Sequence, residues 1–560
     1  MKQLIECVPN FSEGQDMSII KQITDVIEVV DGVKLLDVDP GKATNRTVVT
    51  FVGTPDEVIE AAFQAMKKAS EIIDMSKHHG EHPRFGATDV CPLIPISGIT
   101  MEETVEYAHK LAKRAGEEIG IPIYCYEFAA TEEKRKNLAY CRAGEYEGLK
   151  EKLSNPNMKP DFGPSEFNEF VQKSGATAIS ARNFLVAYNV NLNTISTRRA
   201  NAIAFDVREN GRAKKENGKI VKDEKGNTIR IPGSLKKVKA IGWFIEEYGV
   251  AQISMNLTDI TVTSVHKAFE EVKKSAENRG IRTTGSELVG LIPLQSLLDA
   301  GKFYLKKQER SVGISDSEII KIAVKSLGLN ELKPFVPEER IIEYLLENKS
   351  NKPLINMTLK DFSDVTASEF PAPGGGSIAA YMGSLGAALG TMVANLSAHK
   401  RGWDDRWEEY SDWAEKGATY YKALVNMVDE DTLAFNKIME AFRLPKKSEE
   451  EKTNRNKAIQ DATKNAINVP FKIMELSLAS MEVMKAMADI GLKASVSDAG
   501  VGALAARASV QGAFMNVKIN MGDLQDKEFT SEKLKAGNKI LKKAIALETE
   551  IVDIVEAKIS

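Results

Sequence analysis

Val33-Lys-Leu-Leu-Asp-Val38 and Asn45-Arg-Thr-Val-Val-Thr-Phe-Val52 flank the turn residues Pro40-Gly41-Lys42, and Thr54-Pro55-Asp56-Glu57 follows directly. The β-branched and aromatic content of both runs predicts two strands joined by a turn. Thr54 reads as an N-cap, Pro55 as the first helical residue and Glu57 as the return arm of a capping box. Apolar residues at 58, 59, 62, 63, 66 and 73 keep to one helical face. Strand, strand and helix in immediate succession begin an α/β layer.

The pattern continues outward. Thr100 and Glu103 repeat the capping-box signal before a second helix, and residues 121–130 return as a strand. A second α/β unit starts near Gly175, with strands expected over 181–193, 238–246 and 251–257 and helices over 201–208 and from Val265. Strand-rich segments with two helices each predict mixed sheets covered on one face. Residues 296–350 are helical and charged, with Ser315 and Glu318 as a further capping pair. From Leu359 onward no strand pattern appears, which predicts a helical bundle. The expected organisation is an α/β (α+β) half of two sheet-containing subdomains, 1–178 and 179–298, a helical linker 299–350, and an all-α domain 351–560.

Composition bounds the function. The chain has 560 residues, 43% hydrophobic and 28% charged, with net charge −4. No global basic field points to nucleic acid. Cys7, Cys91, Cys125 and Cys141 lack CxxC spacing and suit a reducing, cytoplasmic compartment. The N-terminal residues lack the apolar run of a signal peptide. From Phe370 to Ala398 no Asp, Glu, Lys or Arg occurs, a length that would span a membrane. Its Ala, Gly, Ser and Thr content suits a helix packed on all sides by other helices instead, so no membrane partner is expected.

Ser76-Lys-His-His-Gly-Glu-His-Pro-Arg-Phe-Gly-Ala-Thr-Asp89 holds three of the six histidines beside Glu81, Arg84 and Asp89. Histidine titrates near neutral pH, so this loop is a candidate for acid–base work. His78 and His82 are four apart, but Gly80 and Pro83 break a helix there, so the one-face zinc geometry does not arise and no metal is expected. Histidines hydrogen-bonded in a surface loop are the other reading. The Gly-bounded stretch Gly163, Pro164, Ser165, Glu166, Phe167, Asn168, Glu169, Phe170, Val171, Gln172, Lys173, Ser174, Gly175 suits a flat ring with an anionic tail, or equally a domain junction.

In the second half, Gly374, Gly375, Gly376 and Ser377 precede a helix whose N–H groups would face an anion, or let helices pack closely. Ala414, Gly417, Tyr421, Leu424, Val428, Asp431, Phe435, Ile438 and Phe442 follow a three–four spacing. Asp431 thus sits in an apolar stripe, where a carboxylate is paired, hydrogen-bonded or protonated. Two readings stay open, an acid of raised pKa or an ion pair with a neighbouring helix. Asn516 and Asn520 extend a seam of small residues and could pair with a heterocycle edge.

Leu4-Ile-Glu-Cys-Val-Pro-Asn-Phe-Ser-Glu-Gly14, the His-His-Gly-Glu-His-Pro-Arg block, Cys141-Arg-Ala-Gly-Glu-Tyr-Glu-Gly148, Asp161-Phe-Gly-Pro-Ser165 and Gly285-Ser-Glu-Leu-Val-Gly-Leu-Ile-Pro293 resemble glutamate formiminotransferase. Ala372-Pro-Gly-Gly-Gly-Ser377, Val428-Asp-Glu-Asp-Thr-Leu-Ala-Phe435 and Arg443-Leu-Pro-Lys446 resemble formiminotetrahydrofolate cyclodeaminase. The order of blocks is that of the bifunctional family. The resemblance implies transfer of the formimino group from N-formimino-L-glutamate to tetrahydrofolate, then cyclisation to 5,10-methenyltetrahydrofolate with loss of ammonia. Tetrahydrofolate, polyglutamylated or not, is then a substrate, and no metal is called for. The resemblance gives His82 the role of transferase acid–base, taking the proton from N5 and returning it to the leaving amine. It gives Asp39 the cationic amidine or the orientation of His82, residues 163–175 the folate, and Asp431 the proton that expels ammonia, with Asp429 as rival off the stripe. It implies a homo-oligomer, a ring of dimers. The Trp-rich segment 403–413 and the charged 209–230 loop depart from the family pattern, and the first bears on how the helix of Asp431 is supported.

Overall fold

Lys34–Gly41 and Arg46–Gly53 pair antiparallel in the computed structural model, which describes residues 3–42, 44–80, 84–346, 353–522 and 524–560. Pro40 lies opposite Thr47 and Gly41 opposite Arg46, so both belong to the strand rather than to the turn. Pro40 is tolerated because this strand has a neighbour on one side only. The reversal falls after Gly41 and uses Asn45 at φ 47°, a left-handed conformation that Asn accepts.

Seven strands make this first sheet. Leu4–Cys7 and Asn10–Phe11 lie between Arg46–Gly53 and Thr88–Ser97, and Thr177–Ala181 runs parallel to both Thr88–Ser97 and Ile123–Glu127. Helices Met17–Glu28, Pro55–Ile72 and Met101–Arg114 cover one face, burying Ile5, Cys7, Phe51, Met66, Leu93 and Leu111 together. Strand side chains alternate between faces. Glu6, Val8, Asn10, Val48, Thr50, Val90 and Pro92 therefore point to the other side, where they line a cavity. Thr100 and Glu103 form the expected capping box. Thr54 caps Pro55–Ile72 without a side-chain hydrogen bond, and the Glu57 side chain lies beside Gly32.

The second sheet is wholly antiparallel, not mixed, in the order Val238–Ile245, Val250–Leu257, Val186–Leu192, Thr283–Val289. A tight hairpin joins the first two, and helix Val265–Glu277 carries the chain to the far edge beside Val186–Leu192. Helix Thr197–Val207 lies so close that a Cβ on Gly242 would overlap the backbone at Ala200 and Asn201. The change of sheet falls after Ala181. Within residues 209–231 two short strand pairs form, Lys215–Glu216 with Lys219–Ile220 exposed and Arg230–Ile231 with half-buried Arg212–Ala213.

Segment 299–350 is divided. Two compact units form: Met1–Ser296 with Leu327–Leu346, and Leu297–Ser326 with Glu347–Ser560. In the first, Ile341 bridges Ile292 and Glu331 accepts from Asn191. In the second, Gly313 packs on Ala414, Val312 donates its N–H to Ser411 Oγ at 3.1 Å, and Asn395 donates to the Gly313 carbonyl at 2.8 Å.

Beyond residue 352 the second unit has no strand among the described residues. Gly375–Ala398 packs against Trp407–Arg443, Glu449–Ile490 and Val496–Asn520, with Lys527–Ile559 outside the last two. Gly375–Ala398 is, among the described residues, the one helix long and apolar enough to cross a membrane, and most of it is buried among its neighbours. Small residues allow that packing: a Cβ on Gly383 would overlap Ser477 Oγ, and one on Gly386 the Gly502 carbonyl. Trp403 stacks on Tyr410 with ring centroids 5.5 Å apart, and the Tyr410 hydroxyl donates to the Ile490 carbonyl at 2.7 Å. The Trp-rich segment thus anchors the start of the helix that carries Asp431.

Candidate active sites

The unpacked face of the first sheet and the segments 184–187, 239, 256–258 and 289–291 enclose a cavity of about 480 Å³. Asp39 lines it, as does Asp37, whose carboxyl is held above the usual range by burial and by the Asp39 charge. Arg46, Arg182 and Lys239 bring cationic groups to the same walls. Asp89 lies fully buried behind Arg46, 3.5 Å from its Nη2 and 3.0 Å from Arg142 Nη2. Burial raises the Asp89 pKa while Arg142 and Arg46 pull it down. The carboxyl fixes where Arg46 meets the cavity.

The histidine loop is tied to the turn beside Arg46. A ring nitrogen of His78 lies 2.9 Å from the Asn45 carbonyl, and Asn45 Nδ2 donates to the His79 carbonyl at 2.8 Å. His78 is buried, which lowers its pKa, and its bond to the Asn45 carbonyl makes it a structural pin. Gly80 has no room for a side chain against the Thr44 carbonyl. On the far side Arg84 pairs with Glu147. His82 lies between these anchored ends, with Glu81 and Pro83, outside the described residues.

Residues 163–175 abut both flanks of that loop. The Lys173 carbonyl accepts from Met75 N at 2.8 Å and the Ser174 carbonyl from Ala87 N at 2.7 Å. Asp161 fixes the entry, accepting from Cys125 N at 2.8 Å and Arg135 Nη1 at 2.7 Å. Asn168 caps the short helix Glu169–Ser174, Val171 and Ser174 are buried, and Gly163 and Gly175 hold φ of 83° and 67°. Glu166, Glu169, Phe170, Gln172 and Lys173 are exposed, Pro164 and Ser165 half-exposed, and Phe167 packs beside Phe85 and Tyr124. None of these residues lines the 480 Å³ cavity. The segment and Asp39 are brought to one subdomain, not to one pocket.

In the second unit Gly375, Gly376, Ser377, Asp431 and Asn516 come together. Gly376 lies against the Asp431 carboxyl so closely that a Cβ would overlap it, and a Cβ on Gly375 would sit 3.3 Å from Asn516 Nδ2. Ser377 Oγ donates to the Val428 carbonyl at 2.8 Å and stands 3.4 Å from Asp431 Oδ2. Burial raises the Asp431 pKa, opposed by the Ser377 hydroxyl and N–H. No cation pairs with Asp431 among the described residues, so the ion-pair reading of the stripe does not hold. Gly374 is the N-cap of the helix, while Asn520 is drawn off to the Ala466 carbonyl at 2.8 Å.

Two readings of this helix are corrected. The stripe ends near Asp431, since Phe435 and Phe442 are exposed. Asp429 is buried, not outside the packed surface: its carboxylate accepts from Leu354 N at 3.0 Å and Ile355 N at 3.3 Å. The helix buries a second face beneath residues 354–357, which a single stripe cannot report. Sequence reasoning also passed over Glu6, which lines the first cavity. Its only signal was a charge between Ile5 and Cys7, a pattern equally suited to a solvated strand face.

Carboxyls held out of water occur in each of the two units, the kind of group that acid–base enzymes use. Comparison with known proteins also divides the chain into a first and a second part, with residues 297–326 counted in the first. The description "Formiminotransferase domain, N-terminal subdomain" matches residues 4–182, "Formiminotransferase domain" residues 187–347, and "Formiminotransferase-cyclodeaminase" residues 358–539. A formimidoyltransferase-cyclodeaminase of Gallus gallus is 43% identical over 545 residues, 97% of each chain. A glutamate formimidoyltransferase of Streptococcus pyogenes serotype M1 is 41% identical over 55% of this chain and 95% of its own. A methenyltetrahydrofolate cyclohydrolase of Methylorubrum extorquens is 36% identical over 37% of this chain and 99% of its own. The chain belongs to the formimidoyltransferase-cyclodeaminase family.

Proposed function

We propose that the chain carries out two consecutive one-carbon steps of histidine degradation. Residues 1–298 transfer the formimino group of N-formimino-L-glutamate to N5 of tetrahydrofolate, releasing glutamate. Residues 351–560 close 5-formiminotetrahydrofolate to 5,10-methenyltetrahydrofolate and release ammonia, a lyase step. The observation that carries this reading is the Asp431 carboxyl, without a cation partner among the described residues, set against Gly376 and Ser377 at a helix start.

In the first step N5 attacks the amidine carbon and His82 takes its proton. Asp39 faces the cationic amidine, and the exposed side chains of 163–175 hold the folate. In the second, N10 attacks the same carbon, and Asp431 supplies the proton with which ammonia departs. A carboxyl whose pKa burial raises suits that donation. The Gly374–Ser377 turn shapes the floor, Asn516 offers a hydrogen-bonding edge, and Asn520 steadies the neighbouring helix. Free, buried cysteines support a cytoplasmic setting. The family supports a homo-oligomer acting on polyglutamylated folate.

The cyclohydrolase relative supports a second reading, in which the helical unit adds water to a methenyl folate. One assay separates them. Tetrahydrofolate and N-formimino-L-glutamate are mixed with the chain while methenyl absorbance and ammonia are followed. Both rise together if the proposal holds. Glutamate release without methenyl product, joined by loss of added methenyl folate, favours the second reading.

A further inference from the structure

Glu6 stands apart in the first cavity. It is 3% exposed, on strand Leu4–Cys7 at the centre of the sheet, and it faces the cavity rather than the helices. Its carboxylate has no hydrogen-bond or ion-pair partner among the described residues. A carboxyl this buried would ordinarily be paired, because an isolated buried charge is too costly. Its surroundings do not supply the missing partner. Arg182 is the cation whose field it feels, yet that guanidinium donates to the Asn183 carbonyl. Glu343, from helix Ile342–Leu346, opposes Arg182, and its own carboxylate is engaged by Leu294 N at 2.7 Å. The remaining titratable groups on the walls are Asp37 and Asp39 on the edge strand, Arg46, Tyr126 and Lys239. Asp37 is only half-buried, so Glu6 is the carboxyl most withdrawn from water and still open to the cavity.

We propose that Glu6 is a second acid–base residue of the transfer step, giving its proton to the glutamate nitrogen as that nitrogen leaves. The proposal rests on the transferase reading of this cavity. The bond from N5 to the amidine carbon forms and the N5 proton passes to His82. The bond from that carbon to the glutamate nitrogen breaks, its electron pair takes the Glu6 proton, and afterwards His82 loses its proton to solvent while Glu6 regains one from solvent. No net proton is gained or lost. The assignment divides between two residues a shuttle that His82 would otherwise perform alone. Burial supports it, holding the Glu6 carboxyl at about 7, with Arg182 pulling down and Glu343 pushing up.

The test uses the full-length chain with Glu6→Gln and Glu6→Asp. Glutamate release from N-formimino-L-glutamate and tetrahydrofolate is measured across the neutral pH range, with kcat and KM separated. A far-ultraviolet thermal melt runs alongside, as a check that the first unit of each variant is folded, with cyclisation of supplied 5-formiminotetrahydrofolate as the check on the second. In the wild type kcat/KM falls as pH rises through the Glu6 pKa, because the protonated form is the active one. Glu6→Gln lowers kcat by about 100-fold or more, leaves KM within a few-fold and removes that limb, while Glu6→Asp retains part of the rate with the limb displaced. A Glu6→Gln enzyme within about threefold of wild type overturns the proposal, as does a loss of rate with an unchanged pH profile. A wild type that cyclises but never frees glutamate sinks the transferase reading and the proposal together.

Discussion

Glu6 weakens the fold wherever it is charged. Its pKa is raised from 4.5 to about 7, so the folded state holds the proton more tightly than the unfolded chain. Its contribution is whole below pH 4.5 and is lost as pH climbs through 7. Glu6→Gln is expected to stabilise the first unit above neutrality by on the order of 3 kcal/mol and to change little in acid. Urea unfolding at both extremes checks the sign. The two aspartates of the helical unit separate in the same spirit. Asp431→Asn abolishes ammonia release, leaves glutamate release running and spares the melting temperature. Gly376→Ala also abolishes ammonia release, since its methyl would occupy the place of the Asp431 carboxyl, but it lowers the melting temperature as well. Asp429→Ala strips acceptors from Leu354 N and Ile355 N, costing on the order of 3 kcal/mol in a thermal melt.

Single helices and strands show how far local pattern reaches. Gly383→Ala in Gly375–Ala398 drives a methyl into Ser477 Oγ and Ser509 Oγ and should cost about 1–3 kcal/mol. Gly512→Ala in Val496–Asn520 meets Ala379 Cβ at 3.5 Å, an ordinary contact, so helix propensity dominates and stability rises by up to about 1 kcal/mol. Opposite shifts in circular-dichroism melts are the expected result; equal ones would contradict the packing described. Strands 34–41 and 46–53, the Thr100 box and the charge-free helix were legible because each is written in neighbouring residues. The Asp431 site was legible because one polar residue interrupts an apolar stripe. Asp429 was not, because the segment covering it lies some seventy residues away in sequence, at Leu354. The Thr54 box did not form, and the Glu57 side chain lies beside Gly32, twenty-five residues away in sequence. The antiparallel second sheet depends on where a crossover lands, which no window of sequence contains.

The whole chain folds as two units whose sequences interleave. Leu297–Ser326 belongs with the helical unit, and Leu327–Leu346 returns to the first. A chain of residues 353–560 alone should therefore melt below one of residues 297–560, because Ser411 and Ala414 lose Val312 and Gly313 as cover. Differential scanning calorimetry of the pair measures this, and equal transitions would count against it. On the ribosome the same interleaving sets an order of events. The N-terminal sheets are complete by Val289, yet their last pieces, Glu331 and Ile341, emerge only after Leu297–Ser326. Those intervening helices must wait further, until Trp407–Arg443 has been translated, before Gly313 meets Ala414. The nascent chain thus carries an orphaned helical pair across more than a hundred codons, and translation speed through that stretch governs how much polypeptide chaperones must shelter.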